Sequence, residues 1–239
     1  KTKNFISYLL YVSFFPQLIA GPIIRYNHFI KEIFKNKFFK INSKNLSIGI
    51  TIILIGLFKK IIFADTAALY VDTFFIRFNN GLGFTGIDSF LFIVLFSIQI
   101  YFDFSGYSDI AVGIGKILNF NIPINFNSPY KSKSIIDFWK RWHITLSQFF
   151  KDYFYIALGG NKNNFFYKLI IIIIVMTICG LWHGASNNFI FWGLLHGIMI
   201  SANHILNKFD LSFIKRIPHF IKILFTFCLI STAFIFFRV

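Results

Sequence analysis

The sequence predicts an all-α protein, a polytopic bundle of helices that cross a membrane, and three observations lead to this prediction. Hydrophobic residues make up 56% and aromatic residues 21% of the 239 residues. Charged residues make up only 14%, against about 25% in an average soluble domain. The apolar residues also form long runs, which is typical of helices that face lipid, because lipid requires no charged surface.

Six apolar runs are long enough, or nearly so, to cross the hydrocarbon core, which takes about 20 helical residues. In chain order they are Phe5–Ile24, Leu46–Ala64, Phe90–Phe104, Leu169–Trp182, Phe189–Ile205 and Phe220–Phe237. Two of the runs are short, so tilted or incomplete crossings are expected. The chain lacks an initiator Met and stops inside the last run, so residues 1–239 are interpreted as one membrane domain truncated at both ends.

The net charge of +15 is typical of a protein at a membrane surface. The lysines lie mostly between the apolar runs, where they mark cytoplasmic loops and bind anionic headgroups, so no nucleic-acid partner is expected. The loop from Lys31 to Lys44 has five lysines against one acid, Glu32, which predicts a cytoplasmic location. Lys59 and Lys60 near the far end of the next run conflict with a simple outward crossing, so one segment is expected to be re-entrant.

Prolines predict breaks in two regions. Pro16 and Pro22 in the first run indicate a kink or a re-entrant hairpin, with Gln17 bonding to backbone carbonyls that the break leaves free. Pro123 and Pro129 indicate that no helix passes through that region.

The stretch after the third run is too polar to face lipid throughout. Ser134 is a good N-cap, with Asp137 at capping-box spacing, which predicts an amphipathic interfacial helix over Ser134–Asp152. On this helix Asp137 and Arg141 are four residues apart and can form an ion pair. Close backbone packing is predicted at Gly106, Gly113 and Gly115.

His183 is the strongest candidate for chemistry, because ionisable groups inside a membrane are costly. It follows an apolar run and lies in the sequence Gly-Leu-Trp-His-Gly-Ala, Gly180–Ala185. The flanking glycines let a substrate approach the imidazole, and the ordinary pKa of imidazole suits a general base. The alternative is a buried histidine that donates one hydrogen bond to a neighbouring helix, and the spacing favours neither.

Three other polar residues have structural interpretations that the local pattern favours. His143 lies either on a capped interfacial helix with aromatic anchors or in a reaction chamber, where it would orient a substrate. His196 is interpreted as a core histidine with satisfied hydrogen bonds. Asp103 is interpreted as an acceptor that fixes a turn, with a catalytic acid as the alternative.

Signatures of several other enzyme classes are missing from the sequence. It has no glycine-rich phosphate loop, no Gly-x-Ser-x-Gly elbow and no metal-ligand spacing of His, Cys and Glu. Cys179 and Cys228 lie in apolar runs and are interpreted as small buried hydrophobic residues. A metal site and a serine hydrolase are therefore not expected.

Six motifs together resemble the membrane-bound O-acyltransferase family, in particular its bacterial alginate and peptidoglycan O-acetyltransferase branch. They are Phe14–Gln17 with Ala20–Pro22, Tyr101–Asp109, Asn125–Tyr130, Asp137–Ile144, Leu158–Asn161 and Gly180–Ala185. Each motif is weak alone, but the order and spacing of the set are highly specific.

The resemblance implies a multi-pass protein of the bacterial inner membrane whose helices surround a tunnel. It implies that His183 is the catalytic residue and that His143 lies close by in the same chamber. Roles in substrate binding or in lining the tunnel are expected for Asp103, Arg141, Trp182 and Asn187.

The resemblance also implies the substrates. Acetyl-CoA is the expected acyl donor, with no resident cofactor. The acetyl group is expected to pass to a periplasmic esterase-like partner or to a hydroxyl of an exported polysaccharide, and D-alanyl transfer to teichoic acid is a less favoured variant. On the residues alone, a transporter or channel and a non-catalytic scaffold stay open, because transporters also build sites from broken helices and polar groups.

Overall fold

The computed structural model describes residues 5–18, 21–35, 40, 42–162, 164–209 and 216–238. These residues form helices and no β-strand, which confirms the all-α prediction. Their contacts define two compact units, the first made of the chain up to Asp88 with Ile98–Asn125, and the second made of Ser89–Ser97 with the chain from Phe126. The single membrane domain and the tunnel stay predictions.

The helices of the first unit are α1 (Phe5–Val12), α2 (Tyr26–Ile33), α3 (Ser43–Asn79) and α4 (Gly86–Ile117), and α4 also contributes residues 89–97 to the second unit. The helices of the second unit are α5 (Ile135–Trp139), α6 (Ile144–Phe150), α7 (Phe165–His183), α8 (Asn187–Phe209) and α9 (His219–Phe234). Short 3₁₀ or π segments lie at Phe15–Gln17, Pro129–Lys131, Lys151–Tyr155, Gly160–Lys162 and Ile235–Phe237.

Five helices among the described residues are long and apolar enough to cross a membrane, namely α3, α4, α7, α8 and α9 with its extension to Phe237. At most 28% of the residues in their most apolar windows are buried inside the protein. Large side chains such as Leu69 and Phe225 are 70% and 64% exposed. Such a surface is stable against lipid rather than water, so the membrane prediction is confirmed for the five later runs.

The first run, Phe5–Ile24, is not one crossing helix, because α1 already ends at Val12. Pro16 lies in a 3₁₀ turn and cannot donate a backbone hydrogen bond to continue the helix. The Gln17 side chain donates instead to the carbonyl oxygen of Tyr11 at 2.6 Å, which confirms the predicted bond to a freed carbonyl. Residues 19 and 20 of this run lie outside the described residues.

The helices α3 and α4 run antiparallel and touch at two glycine pairs. A Cβ on Gly49 would lie 2.7 Å from the carbonyl oxygen of Gly113, and a Cβ on Gly56 would lie 2.6 Å from that of Gly106. Only residues without side chains permit this approach, so the close packing predicted at Gly106 and Gly113 is confirmed. The end predicted at Phe104 is wrong, because α4 continues through both glycines.

Ion pairs join α3 and α4 where α3 contains a π-helical segment. Lys60 binds Asp103 at 2.5 Å and Asp65 at 2.8 Å, and Lys59 binds Asp109 at 2.5 Å. The turn predicted at Asp103 is wrong, since this residue lies in the middle of a helix. Pairing offsets the cost of placing these charges in apolar helices, which explains how the two lysines fit within a long apolar segment.

The helices α7 and α8 form an antiparallel hairpin that is the main framework of the second unit. A Cβ on Gly180 would collide with the carbonyl oxygen of Phe189, and a Cβ on Gly193 would collide with that of Met176. The backbones therefore approach each other closely near the turn of the hairpin. The short helix α5 packs on α8 and on α9, and the segment after α9 also packs on α8.

Candidate functional site

The predicted helix Ser134–Asp152 is broken into α5 and α6, so the continuous helix is wrong. Its N-terminus is as predicted, because the Ser134 side chain accepts the backbone N–H of Asp137 at 3.1 Å. The helix stops at Trp139 and starts again at Ile144, and the four residues between them form the break.

His143 is the last residue of the break and has a left-handed backbone, with φ 41° and ψ 55°. A residue with a Cβ rarely adopts this conformation, and where it does, the surrounding structure must impose it. The side chain of His143 is buried, with 5% of its surface exposed. A strained backbone that holds a buried imidazole is the kind of feature that clusters at functional sites.

Arg141 holds the break in place. Its Nε donates to Asp137 Oδ1 at 2.9 Å, which confirms the predicted ion pair. Its carbonyl oxygen accepts the backbone N–H of Asn127 at 2.9 Å, and its Nη1 donates to the Asn127 carbonyl at 3.4 Å. The break is therefore tied to α5 on one side and to the segment before α5 on the other.

His183 is the last residue of α7, and its imidazole is half-buried among aromatic rings. The helix ends there because Gly184 is fully extended, with φ 168° and ψ 163°. Ring centroids lie 4.9 Å away for Trp182, 5.0 Å for Phe237, 5.3 Å for Trp192 and 6.3 Å for Phe189. Part of the imidazole stays exposed, so a substrate can reach it.

His143 and His183 lie close enough for their charges to interact. Burial, with a smaller contribution from the neighbouring His183, lowers the pKa of His143 to about 3. His143 is therefore neutral near pH 7, with one ring nitrogen that donates and one that accepts a hydrogen bond.

The other predicted site residues lie in three different places. Trp182 is 56% exposed beside His183, and Asn187 is exposed at the first residue of α8, across the turn from His183. Arg141 is engaged with Asp137, as described above. Asp103 belongs to the first unit, where it pairs with a lysine. The roles of these four residues in substrate binding stay predictions.

His196 is a residue of this site that the local pattern did not identify. Its side chain is fully buried, 4.7 Å from the ring of Trp192 and 5.2 Å from the ring of Trp139. The Trp139 Nε1–H donates to His196 Nδ1 at 3.3 Å, but His196 Nε2 has no partner among the described residues. The prediction of a fully satisfied histidine is therefore wrong for one nitrogen. The four-residue spacing of Trp192 and His196 was the only signal for this cluster.

A groove of about 610 Å³ lies on the other side of Trp139. Its apolar floor includes Ile172, Val175 and Cys179 of α7 together with Leu146 and Phe150 of α6. Three lysines also line it, Lys140, Lys151 and Lys168, and its described lining residues include no Asp or Glu. This groove, called the lysine groove below, is therefore positive, and its lining extends along α7 from Lys168 to Cys179.

Five helices that can cross a membrane, with His183 at the end of α7 and a buried His143 before α6, define a polytopic membrane protein with a polar site. The chain belongs to the membrane-bound O-acyltransferase (MBOAT) family, whose model matches residues 1–237. This confirms the family that the six motifs predicted.

Three relatives show the range of the family. A peptidoglycan O-acetyltransferase of Helicobacter pylori is 45% identical over 237 residues, which is 99% of this chain and 44% of that protein. A probable alginate O-acetylase AlgI of Pseudomonas putida is 38% identical, over 99% of this chain and 47% of that protein. A teichoic acid D-alanyltransferase of Bacillus subtilis is 31% identical, over 84% of this chain and 52% of that protein. The chain thus spans about half the length of these relatives.

The depressed pKa of His143 predicts a dependence of stability on pH. The ordinary pKa of histidine is about 6.5 and the folded value is about 3, so between these values the unfolded chain binds a proton that the folded chain does not. Folded stability should therefore fall as the pH falls below 6.5, by up to about 1.4 kcal/mol per pH unit. Thermal unfolding of the detergent-solubilised protein at pH 7 and pH 5 measures this loss.

His143→Gly is the matched control, because glycine adopts the left-handed backbone without strain and carries no titrating group. The unfolding temperature of this variant should fall less between pH 7 and pH 5 than that of the wild type. Equal decreases in the two proteins would show that His143 is not the group that titrates.

Proposed function

We propose that the full-length protein is an O-acetyltransferase of the bacterial inner membrane. It moves an acetyl group from acetyl-CoA on the cytoplasmic side to a hydroxyl of an exported envelope polysaccharide, directly or through a periplasmic esterase-like partner. The observation that carries the proposal is the half-buried His183 at the end of α7, near enough to the buried His143 to contribute to its low pKa, in a chain of the MBOAT family. Identity is higher to the two acetyl-transferring relatives, at 45% and 38%, than to the D-alanyltransferase, at 31%, which favours acetyl.

A thioester is already an activated acyl donor, so the site needs a base and a group that stabilises the oxyanion. His183 accepts the proton of the acceptor hydroxyl while its oxygen forms a bond to the carbonyl carbon of the thioester. The tetrahedral intermediate then collapses, the C–S bond breaks, and the imidazolium returns the proton to the leaving thiolate. His143 is neutral because of its low pKa, so it orients the hydroxyl or the His183 ring by hydrogen bonding rather than by charge.

The lysine groove supports a phosphate-bearing donor. Three lysines, with no Asp or Glu among the described residues that line the groove, suit the phosphates of a coenzyme A moiety, and the apolar floor suits the flexible arm of the same moiety. The floor reaches Cys179, which lies one helical turn before His183, or about 6 Å along the helix axis. A coenzyme A arm that enters along α7 would therefore direct its thioester toward the imidazole of His183.

The test uses the purified full-length protein in vesicles, with radiolabelled acetyl-CoA and an envelope polysaccharide as acceptor. Label should enter the polysaccharide as an ester while free CoA appears. Solute movement without CoA release would favour a transporter. Survival of acetylation after replacement of both His143 and His183 would favour a scaffold.

The same assay tests the donor site. Changing Lys140, Lys151 and Lys168 together to Gln should raise the KM for acetyl-CoA at least about tenfold with little change in kcat, since each lost charged hydrogen bond costs about 1.5 kcal/mol or more. Lys208→Gln is the matched control, because Lys208 contacts the Phe165 ring and is not among the residues that line the groove. An unchanged KM in the triple variant would place the donor elsewhere.

A further inference from the structure

The hydrogen bond between Trp139 and His196 fixes the tautomer of a buried imidazole. The indole nitrogen of tryptophan only donates, so His196 Nδ1, at 3.3 Å from Trp139 Nε1, must be the accepting nitrogen. A neutral imidazole with an accepting Nδ1 carries its proton on Nε2. His196 therefore presents an N–H at Nε2, in a position where the side chain has no exposed surface.

Trp192 presents a second buried N–H next to the first. Its side chain is 1% exposed, and its Nε1 has no hydrogen-bond acceptor among the described residues; the same holds for His196 Nε2. Folded proteins leave few buried donors unpaired, because each costs the full free energy of desolvation. Two such donors on rings whose centroids are 4.7 Å apart require a common explanation.

Trp192, the first residue of this donor pair, contacts the candidate base directly. The Trp192 ring is 5.3 Å from the His183 ring, and Phe237 contacts both, at 5.0 Å from His183 and 4.9 Å from Trp192. On the opposite side, Trp139 is in contact with Trp192 and also lines the lysine groove. The Trp192 ring therefore links Trp139, which lines the groove, to the imidazole of His183.

We infer that Trp192 and His196 present their two N–H groups to an oxygen acceptor beside His183. This inference rests on the proposed function. The acceptor is either the carbonyl oxygen of the acyl group or a water molecule that forms hydrogen bonds to the reacting groups. A carbonyl oxygen takes up an electron pair when the hydroxyl attacks, and returns it when the C–S bond breaks. Two fixed donors in a site without bulk water stabilise that negative charge strongly.

Four variants separate the effect of the N–H groups from the packing of the rings. Trp192→Phe keeps an aromatic ring and removes the donor. His196→Leu removes both the acceptor for Trp139 and the donor, whereas His196→Gln can restore both through its amide oxygen and nitrogen. Phe237→Leu measures the loss that altered packing alone causes, because Phe237 touches the same rings without a polar group.

In the full-length protein, Trp192→Phe and His196→Leu should each lower kcat by about 10²-fold with little change in the KM for acetyl-CoA. His196→Gln should recover most of the kcat. Values for Trp192→Phe and His196→Leu within twofold of the Phe237→Leu value would overturn the inference. Normal transfer by both the wild type and these two variants would overturn it while leaving the acetyltransferase proposal intact, whereas no transfer by the wild type would overturn both.

Infrared spectroscopy distinguishes the two acceptors. The C=O stretch of ¹³C-acetyl-CoA is recorded on the His183→Ala protein, with and without Trp192→Phe. A shift to higher frequency in the double variant identifies the acyl carbonyl as the acceptor. An unshifted band together with the fall in kcat identifies a water molecule, for which Trp192 and His196 are positioning residues.

Discussion

Replacement of His183 by alanine in the full-length protein is expected to lower acetyl transfer by about 10² to 10⁴-fold, the range for loss of a general base. The imidazole is partly exposed at the end of α7 and close to His143, so it can accept the proton of an approaching hydroxyl. The initial rate of label transfer from acetyl-CoA to the polysaccharide measures the effect. The amount of protein in the membrane must be equal in the two samples.

His183→Gln is the matched control for packing. Alanine leaves space beside Trp192 and Phe237, whereas glutamine fills part of it and still forms hydrogen bonds, but it cannot accept a proton near neutral pH. The Gln variant should therefore unfold near the wild-type temperature and be as inactive as the Ala variant. Activity close to wild type in the Gln variant would assign His183 a structural role.

Gly193→Leu is expected to prevent assembly of the α7–α8 hairpin. A Cβ there would collide with the Met176 carbonyl oxygen and lie 3.0 Å from Thr177 Cα, and these are backbone atoms that cannot rotate away. The helices would have to separate, which would also open the contact between Gly180 and Phe189. Overpacking of this kind costs about 3 kcal/mol or more, against a total stability of about 5–15 kcal/mol.

Size-exclusion chromatography of detergent extracts and the thermal unfolding temperature measure this effect. The matched control is Gly83→Leu, because a Cβ on Gly83 would have no atom within 4 Å. This control should stay within about 0.5 kcal/mol of the wild type. Equal unfolding temperatures for the two variants would show that the close contact at Gly193 does not stabilise the fold.

The local sequence pattern predicted the long helices well and their ends poorly. The helix α7 runs from Phe165 to His183, close to the predicted Leu169–Trp182. This prediction worked because a membrane-spanning helix needs about 20 apolar residues in a row, and such a run is visible in the local sequence. In contrast, α4 continues far past Phe104, and within it Asp103 pairs with a lysine on α3. A charge partner more than forty positions away leaves no trace in the pattern around a residue.

The sequence by itself predicted that this chain crosses a membrane, because composition and apolar runs are read from neighbouring residues. Its six motifs resemble the MBOAT family, and that resemblance implied candidate chemistry at His183 and His143. Only the tertiary structure decided that the helix breaks at His143, that His143 and His183 are near enough to interact, and that the N–H groups of Trp192 and His196 have no acceptor among the described residues. The physical reason is that these features arise from contacts between distant segments, such as Asn127 with Arg141 and Trp139 with His196, which override local helix propensity.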